Sequence, residues 1–170
     1  MSSSDARGLP PSRRALLAAC GGALLAGCGF QLRREPPLPF KTIALTGFAP
    51  RSPMGLELKR SLARQVQVVD APAQAEVVLQ AQADARERSI VAQTATAQVR
   101  ELQLRAKLQF RAHSASGREL LPSSTLLLAR DMSTNEGIAL AKQIEEEELF
   151  REMQADIVLQ VLRRLAAIRL

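Results

Sequence analysis

The chain has 170 residues, 46% of them hydrophobic and 24% charged. That leaves room for one domain and excludes both a disordered chain and a multi-span membrane protein. The net charge is +6, and with one His, two Cys, no Trp and no Tyr a His/Cys metal site or a Ser-His-Asp centre must be built on His113 or not exist. Composition therefore points to a small basic binding or structural module rather than an enzyme.

Residues 1–14 are polar and basic, with Arg7, Arg13 and Arg14, and residues 15–27 are apolar and uncharged. This is a signal-peptide pattern, too short in its apolar part for a permanent span. It closes on Leu25-Ala26-Gly27-Cys28, which fits the bacterial lipobox. The small residues admit the backbone to a signal-peptidase cleft, and the Cys28 thiol is the acceptor for a diacylglyceryl group. The expectation is a leader over 1–27 and a lipidated Cys28 as the first mature residue. Cys20 leaves with the leader, so no disulfide is expected, and no cofactor beyond the covalent lipid on Cys28. Several acyl chains on one N-terminus anchor a protein far more firmly than one. Ser12-Arg13-Arg14-Ala15-Leu16-Leu17 also resembles a twin-arginine start, but Arg pairs open other signals too, so the export route stays open. Gly29, not Asp, follows Cys28; by resemblance to the enterobacterial sorting rule this implies the outer membrane of a Gram-negative cell.

Residues 28–39, with Pro36, Pro37 and Pro39, read as an extended tether. A strand is expected over 42–46 with a turn at Gly47. Ser52-Pro53 starts a helix over 54–65, where Met54, Leu58 and Leu62 share a face. Val66–Val69 reads as a short strand ended by Ala71-Pro72. Period two then places Val77, Leu79, Ala81, Ala83 and Ala85 on one face, and Val78, Gln80, Gln82, Asp84 and Arg86 on the other. The alternation is stricter in 101–113. There Leu102, Leu104, Ala106, Leu108, Phe110 and Ala112 alternate with Glu101, Gln103, Arg105, Lys107, Gln109, Arg111 and His113. Ser114–Gly117 makes a turn, and Thr125–Met132 a third long strand bounded by Pro122 and Asn135. Gly137 opens a final helix of about 25–30 residues, with Leu149, Met153, Ile157, Val161 and Leu165 at i+4 spacing. Glu145–Glu148 read as a solvated face in its early part, and Arg163, Arg164 and Arg169 suit its carboxyl end.

These patterns imply an α+β fold over residues 40–170. The expected form is a two-layer sandwich, with a mostly antiparallel four- to five-stranded sheet and two helices packed on one face. No segment beyond the leader has 18 consecutive apolar residues, so lipid is the expected membrane anchor.

Cys28-Gly29-Phe30-Gln31-Leu32-Arg33 resembles the mature start of the LPS-assembly lipoprotein family, LptE. Arg130-Asp131-Met132-Ser133-Thr134-Asn135 is similar to that family's Arg-containing strand end. Ala139-Leu140-Ala141-Lys142 with the following Glu-rich residues, Arg151-Glu152-Met153 and Arg163-Arg164-Leu165 resemble its last helix. The resemblance implies a non-enzymatic function. Members plug the lumen of the β-barrel LptD, help it assemble, and form with it the translocon that inserts lipopolysaccharide into the outer leaflet. The lysine matching Lys142 is implied as a lipopolysaccharide contact.

Residues independently agree with an acidic glycolipid partner. Segment 99–113 carries Arg100, Arg105, Lys107 and Arg111 against Glu101 alone. Without Trp or Tyr, sugar-ring stacking is nearly unavailable, so recognition falls to Arg and Lys on phosphate or carboxylate. Arg105, Lys107 and Arg111 share one face and are the candidates, beside the plainer reading of a solvated strand surface. No nucleic-acid motif is present. Two other classes stay open: an auxiliary lipoprotein of another envelope lipid-transport system, and a lipid-tethered hydrolase. The hydrolase would need a nucleophile, base and oxyanion donors that a chain with one His and no Gly-rich elbow does not offer.

Overall fold

The computed structural model describes residues 36–95, 98–133 and 139–170. Cys28, the leader and most of the tether lie outside the described residues, as do Asn135 and Gly137.

β1 (Thr42–Thr46) runs into α1 (Pro53–Leu62) and then β2 (Gln67–Val69). A helical crossover returns the chain in the same direction, so β1 and β2 pair in parallel, Ile43 opposite Val68. A short 3-10 turn, Pro72–Gln74, leads to β3 (Val77–Gln93), which flanks β1 on its other side, also in parallel. β4 (Val99–His113) and β5 (Glu119–Ser133) follow as antiparallel neighbours, giving the order β2-β1-β3-β4-β5. The sheet is thus five-stranded, mixed, and mostly antiparallel. α2 (Ala139–Ala166) lies with α1 over one face. Glu35–Leu170 is one unit.

Ser52 caps α1, its Oγ accepting from the Gly55 amide at 2.9 Å, and Pro53 occupies the first turn, where its missing N–H costs nothing. The helix ends at Leu62, three residues before the expected end. Met54, Leu58 and Leu62 meet Leu104, Leu108 and Phe110 of β4 and Met153, Ile157, Val161 and Leu165 of α2 in one core, all of them essentially inaccessible. Leu102, Leu104, Ala106, Leu108, Phe110 and Ala112 of β4 all face it, as the alternation requires.

β3 departs from its expected faces. Ala81 pairs with Phe110, but Ala83 pairs with Gln109, so Gln82 is an extra residue in a β-bulge. Because side chains alternate, one extra residue exchanges the faces of everything after it. Asp84, Arg86 and Arg88 stand opposite Leu108, Ala106 and Leu104 on the helix side, while Ala83, Ala85 and Glu87 lie on the outer side. The expected sharing of one face by Val77, Leu79, Ala81, Ala83 and Ala85 therefore fails after Ala81. Val78, buried on the outer side, belongs to a small second cluster with Ala44 and Ala75.

β5 begins at Glu119, earlier than the expected Thr125, and passes through Pro122. An edge strand needs fewer donors, and a bulge opposite Phe110 and Ala112 falls at this point, so the proline is accommodated. The Ser114–Gly117 turn forms as expected, closed by Ser114 N–H to Arg118 C=O at 2.9 Å.

The first ten residues of α2 extend past the core: its buried residues begin at Phe150, and Leu140 and Ile144 are exposed. The Glu run in this part is solvated, as expected, but each member also has a basic partner. Glu145 pairs with Lys142 at 2.8 Å, Glu146 with Arg88 at 3.4 Å, Glu147 with Arg86 at 3.3 Å and Glu148 with Arg151 at 2.6 Å. Only the Glu148–Arg151 pair is exposed on both sides, and a pair of that kind contributes about 0–1 kcal/mol.

Candidate functional site

The helix side has a groove of about 440 Å³ between α1 and α2, lined by Leu56, Glu57, Arg60, Arg86, Glu147 and Arg151 among others. Its guanidiniums are already matched by carboxylates. Arg60 has Glu57 at 3.2 Å, Arg86 has Glu147 and Arg151 has Glu148. Arg86 also donates to Gln154 Oε1 at 2.6 Å and lies 5.1 Å from the centroid of Phe150. An added anion would find little free positive charge here.

The outer sheet face is built differently. Arg105, Lys107 and Arg111 project from β4 on the side away from the helices, since their neighbours in sequence are core residues. Two residues of strand separate side chains on one face by about 7 Å, so Arg105 and Lys107 can address one headgroup. Arg105 donates through Nε to Gln103 Oε1 at 2.8 Å, and Gln103 donates to Asp131 on β5 at 3.0 Å. Arg111 donates through Nε to Gln80 Oε1 at 2.8 Å, its cross-strand partner on β3. Both guanidiniums are held by neutral amides, which orient them without cancelling their charge, and their outer nitrogens make no bond to the described residues. Lys107 stands between Ala85 and Leu127 and has neither hydrogen bond nor ion pair among the described residues.

Glu87 sits directly opposite Arg105 on β3 and is the nearest counter-charge in register. Sequence reasoning missed it because the bulge puts it on this face. The available signal was a charged residue appearing in the row of Ala81, Ala83 and Ala85.

Lys142 is placed apart from these three, near the start of α2. Its Nζ donates to Glu145 at 2.8 Å and to Ser133 Oγ at 3.5 Å, and its side chain is only 17% exposed. The structure does not bring it together with the β4 cations. His113 hydrogen-bonds through Nδ1 to the Ser114 carbonyl oxygen at 2.9 Å. Among the described residues no group of His, Cys, Asp and Glu is placed to hold a metal ion, and no helix is long and apolar enough to cross a membrane.

Comparison with known proteins places this arrangement in context. The chain is similar over 82% of its length to lipoprotein B of Nitrosomonas europaea, at 31% identity and a TM-score of 0.69, covering 91% of that protein. It is similar to rare lipoprotein B of Shewanella oneidensis at 25% identity and a TM-score of 0.57, over 74% of this chain and 90% of that one. A minor lipoprotein of Acinetobacter baumannii, 24% identical over 77% of this chain and 94% of its own, with a TM-score of 0.62, shares the fold. No curated protein matches. The family model described as LptE, lipopolysaccharide-assembly, matches residues 40–165, the whole folded domain but its last turn. By that match the chain belongs to the LptE family of lipopolysaccharide-assembly lipoproteins, which are not enzymes.

Proposed function

We propose that this lipoprotein is held at the outer membrane by a lipid on Cys28, plugs the lumen of the LptD β-barrel and helps it assemble, forming the translocon that inserts lipopolysaccharide into the outer leaflet. Family membership supports the assembly role. The observation that carries the plug reading is the outer sheet face. It is polar along all of β4, whose other face is buried under two helices. A wedge with that surface suits the polar interior of an outer-membrane barrel. Arg105, Lys107 and Arg111 would meet phosphates or acidic sugars on the same face, and Lys142 is the further candidate that the family resemblance implies.

The test is a pull-down of the tagged full-length chain from detergent-solubilised outer membrane. Recovery of a barrel protein of outer-membrane type in fixed proportion is expected. A chain that runs without a barrel, or that travels with an inner-membrane transporter, overturns the reading.

A further inference from the structure

The two ends of the fold differ in charge. The first residues of β1, β3 and β5 and the last of β4 share one end, because Ile43 pairs with Val77, Val78 with His113 and His113 with Glu119. α2 finishes at the same end. A hollow of about 320 Å³ there is lined by Arg118, Glu119 and Leu121 from the β4–β5 hairpin and by Arg164, Ile168 and Arg169, among others. Arg118, Arg164 and Arg169 have no carboxylate partner among the described residues. Exposed Lys41 and Arg163 add to this end. These five cations outnumber the two acids beside them, Glu119 and Glu76, and Glu76 already accepts the Lys41 backbone N–H at 2.8 Å. The opposite end is neutralised, with Arg88 on Glu146 and Lys142 on Glu145. The carbonyl end of α2 accounts for Arg163 and Arg164, but not for Lys41 and Arg118, which arrive on other elements.

The chain toward Cys28 leaves from the positive end. Leu38 packs on the core just ahead of β1, and eight residues, 28–35, precede the described ones. Fully extended they reach at most about 29 Å. A lipid on Cys28 therefore keeps this end, rather than the neutral one, close to a leaflet. We propose that the end face formed by Lys41, Arg118, Arg163, Arg164 and Arg169 docks on anionic phospholipid headgroups of that leaflet and holds the domain end-on before a barrel encloses it. The guanidiniums suit headgroup phosphates, and Leu121 and Ile168 give their stems an apolar floor. Acyl chains plus a basic patch is a two-signal anchor. The inference rests on the lipidation of Cys28 given above and adds to it the orientation of the domain.

The test uses the full-length lipoprotein without a barrel, bound to vesicles that contain a headgroup spin-labelled lipid as quencher. A dye is carried by Ala115→Cys, in the hairpin turn of the basic end, or by Ala95→Cys, in the turn at the opposite end; both positions are exposed. On phosphatidylcholine with about a third phosphatidylglycerol, quenching at 115 should exceed that at 95 by about threefold or more. It should fall by about half or more on phosphatidylcholine alone and at roughly 0.5 M salt. It should fall likewise in the double variant Arg118→Glu/Arg169→Glu, whose circular dichroism should match the parent because both side chains are exposed. Equal quenching at the two positions, or quenching at 115 indifferent to phosphatidylglycerol or to the charge reversal, overturns the proposal. Flotation separates it from the anchor. A chain that floats with the mixed vesicles but not with phosphatidylcholine lacks the lipid yet keeps the docking face, and one that floats with neither overturns both.

Discussion

Arg86 donates to the buried Oε1 of Gln154 at 2.6 Å, tying the middle of β3 to α2 across the two layers. The contact exists because the bulge at Gln82 turns Arg86 toward the helices. Arg86→Ala removes the hydrogen-bond donor to an amide oxygen in a residue only 5% exposed, together with the cation placed over Phe150. An unpaired buried acceptor costs about 1–3 kcal/mol and the cation–π contact about 0.5–1 kcal/mol more. Urea denaturation should therefore show R86A less stable by about 2 kcal/mol or more. Adding Gln154→Leu should recover much of the loss, since both polar partners are then gone. Glu147→Gln, at a side chain 61% exposed, should cost under about 1 kcal/mol. Equal losses for R86A and E147Q would contradict the buried contact.

Gly47 and Gly117 make a matched pair. Both have positive φ, +79° and +89°, but a Cβ on Gly47 would stand 2.1 Å from the Ala81 carbonyl oxygen, while one on Gly117 meets nothing within 4 Å. Gly117→Ala should cost only the left-handed backbone term, about 1–2 kcal/mol. Gly47→Ala must also displace β3 backbone beside the bulge. Its melting temperature should fall well below that of G117A, and similar values for the two would refute the close approach.

Much of this fold was legible in the sequence. The strict alternation of 101–113 set both faces of β4, because a buried face admits one register only. The i+4 stripe of Met153, Ile157, Val161 and Leu165 set α2 and its buried side. What was not legible depends on partners. The Gln82 bulge is a property of how β3 meets β4, so the true faces of Asp84, Arg86 and Glu87 could not be read along the chain. Pro122 looked like a strand boundary because its tolerance depends on β5 being an edge. The shared face of Arg105, Lys107 and Arg111 followed from period alone. The engagement of Lys142 by Ser133 and Glu145 needed two elements to be brought together.

Ser52 joins local and tertiary structure. Its Oγ accepts from Gly55 N–H and donates to the Asp84 carboxylate. Ser52→Ala loses the cap, typically about 1 kcal/mol, and also the link to β3. The expected loss on thermal unfolding is about 1–2 kcal/mol. If the link to β3 is real, S52A and Asp84→Ala will be non-additive in a double-mutant cycle, and strict additivity would count against it.

The outer face gives the sharpest functional contrast. Arg105, Lys107 and Arg111 keep charge available to solvent, whereas Lys142 is already paired with Glu145 at 2.8 Å. Replacing the three β4 cations together by Ala should weaken lipopolysaccharide binding at least tenfold, about 1.4 kcal/mol. That difference should shrink as salt is raised from 0.05 to roughly 0.5 M, because exposed charges are screened over shorter distances. Lys142→Ala should weaken binding less than threefold, since its ammonium must leave Glu145 before it can meet another anion. The substitutions lie on a solvent-facing surface, so circular dichroism should be unchanged. Fluorescence titration of labelled lipopolysaccharide at two salt concentrations measures both effects. An unaltered affinity in the triple variant would leave the β4 face as barrel-facing surface only, and a larger loss for K142A than for the triple variant would move the ligand contact to the start of α2.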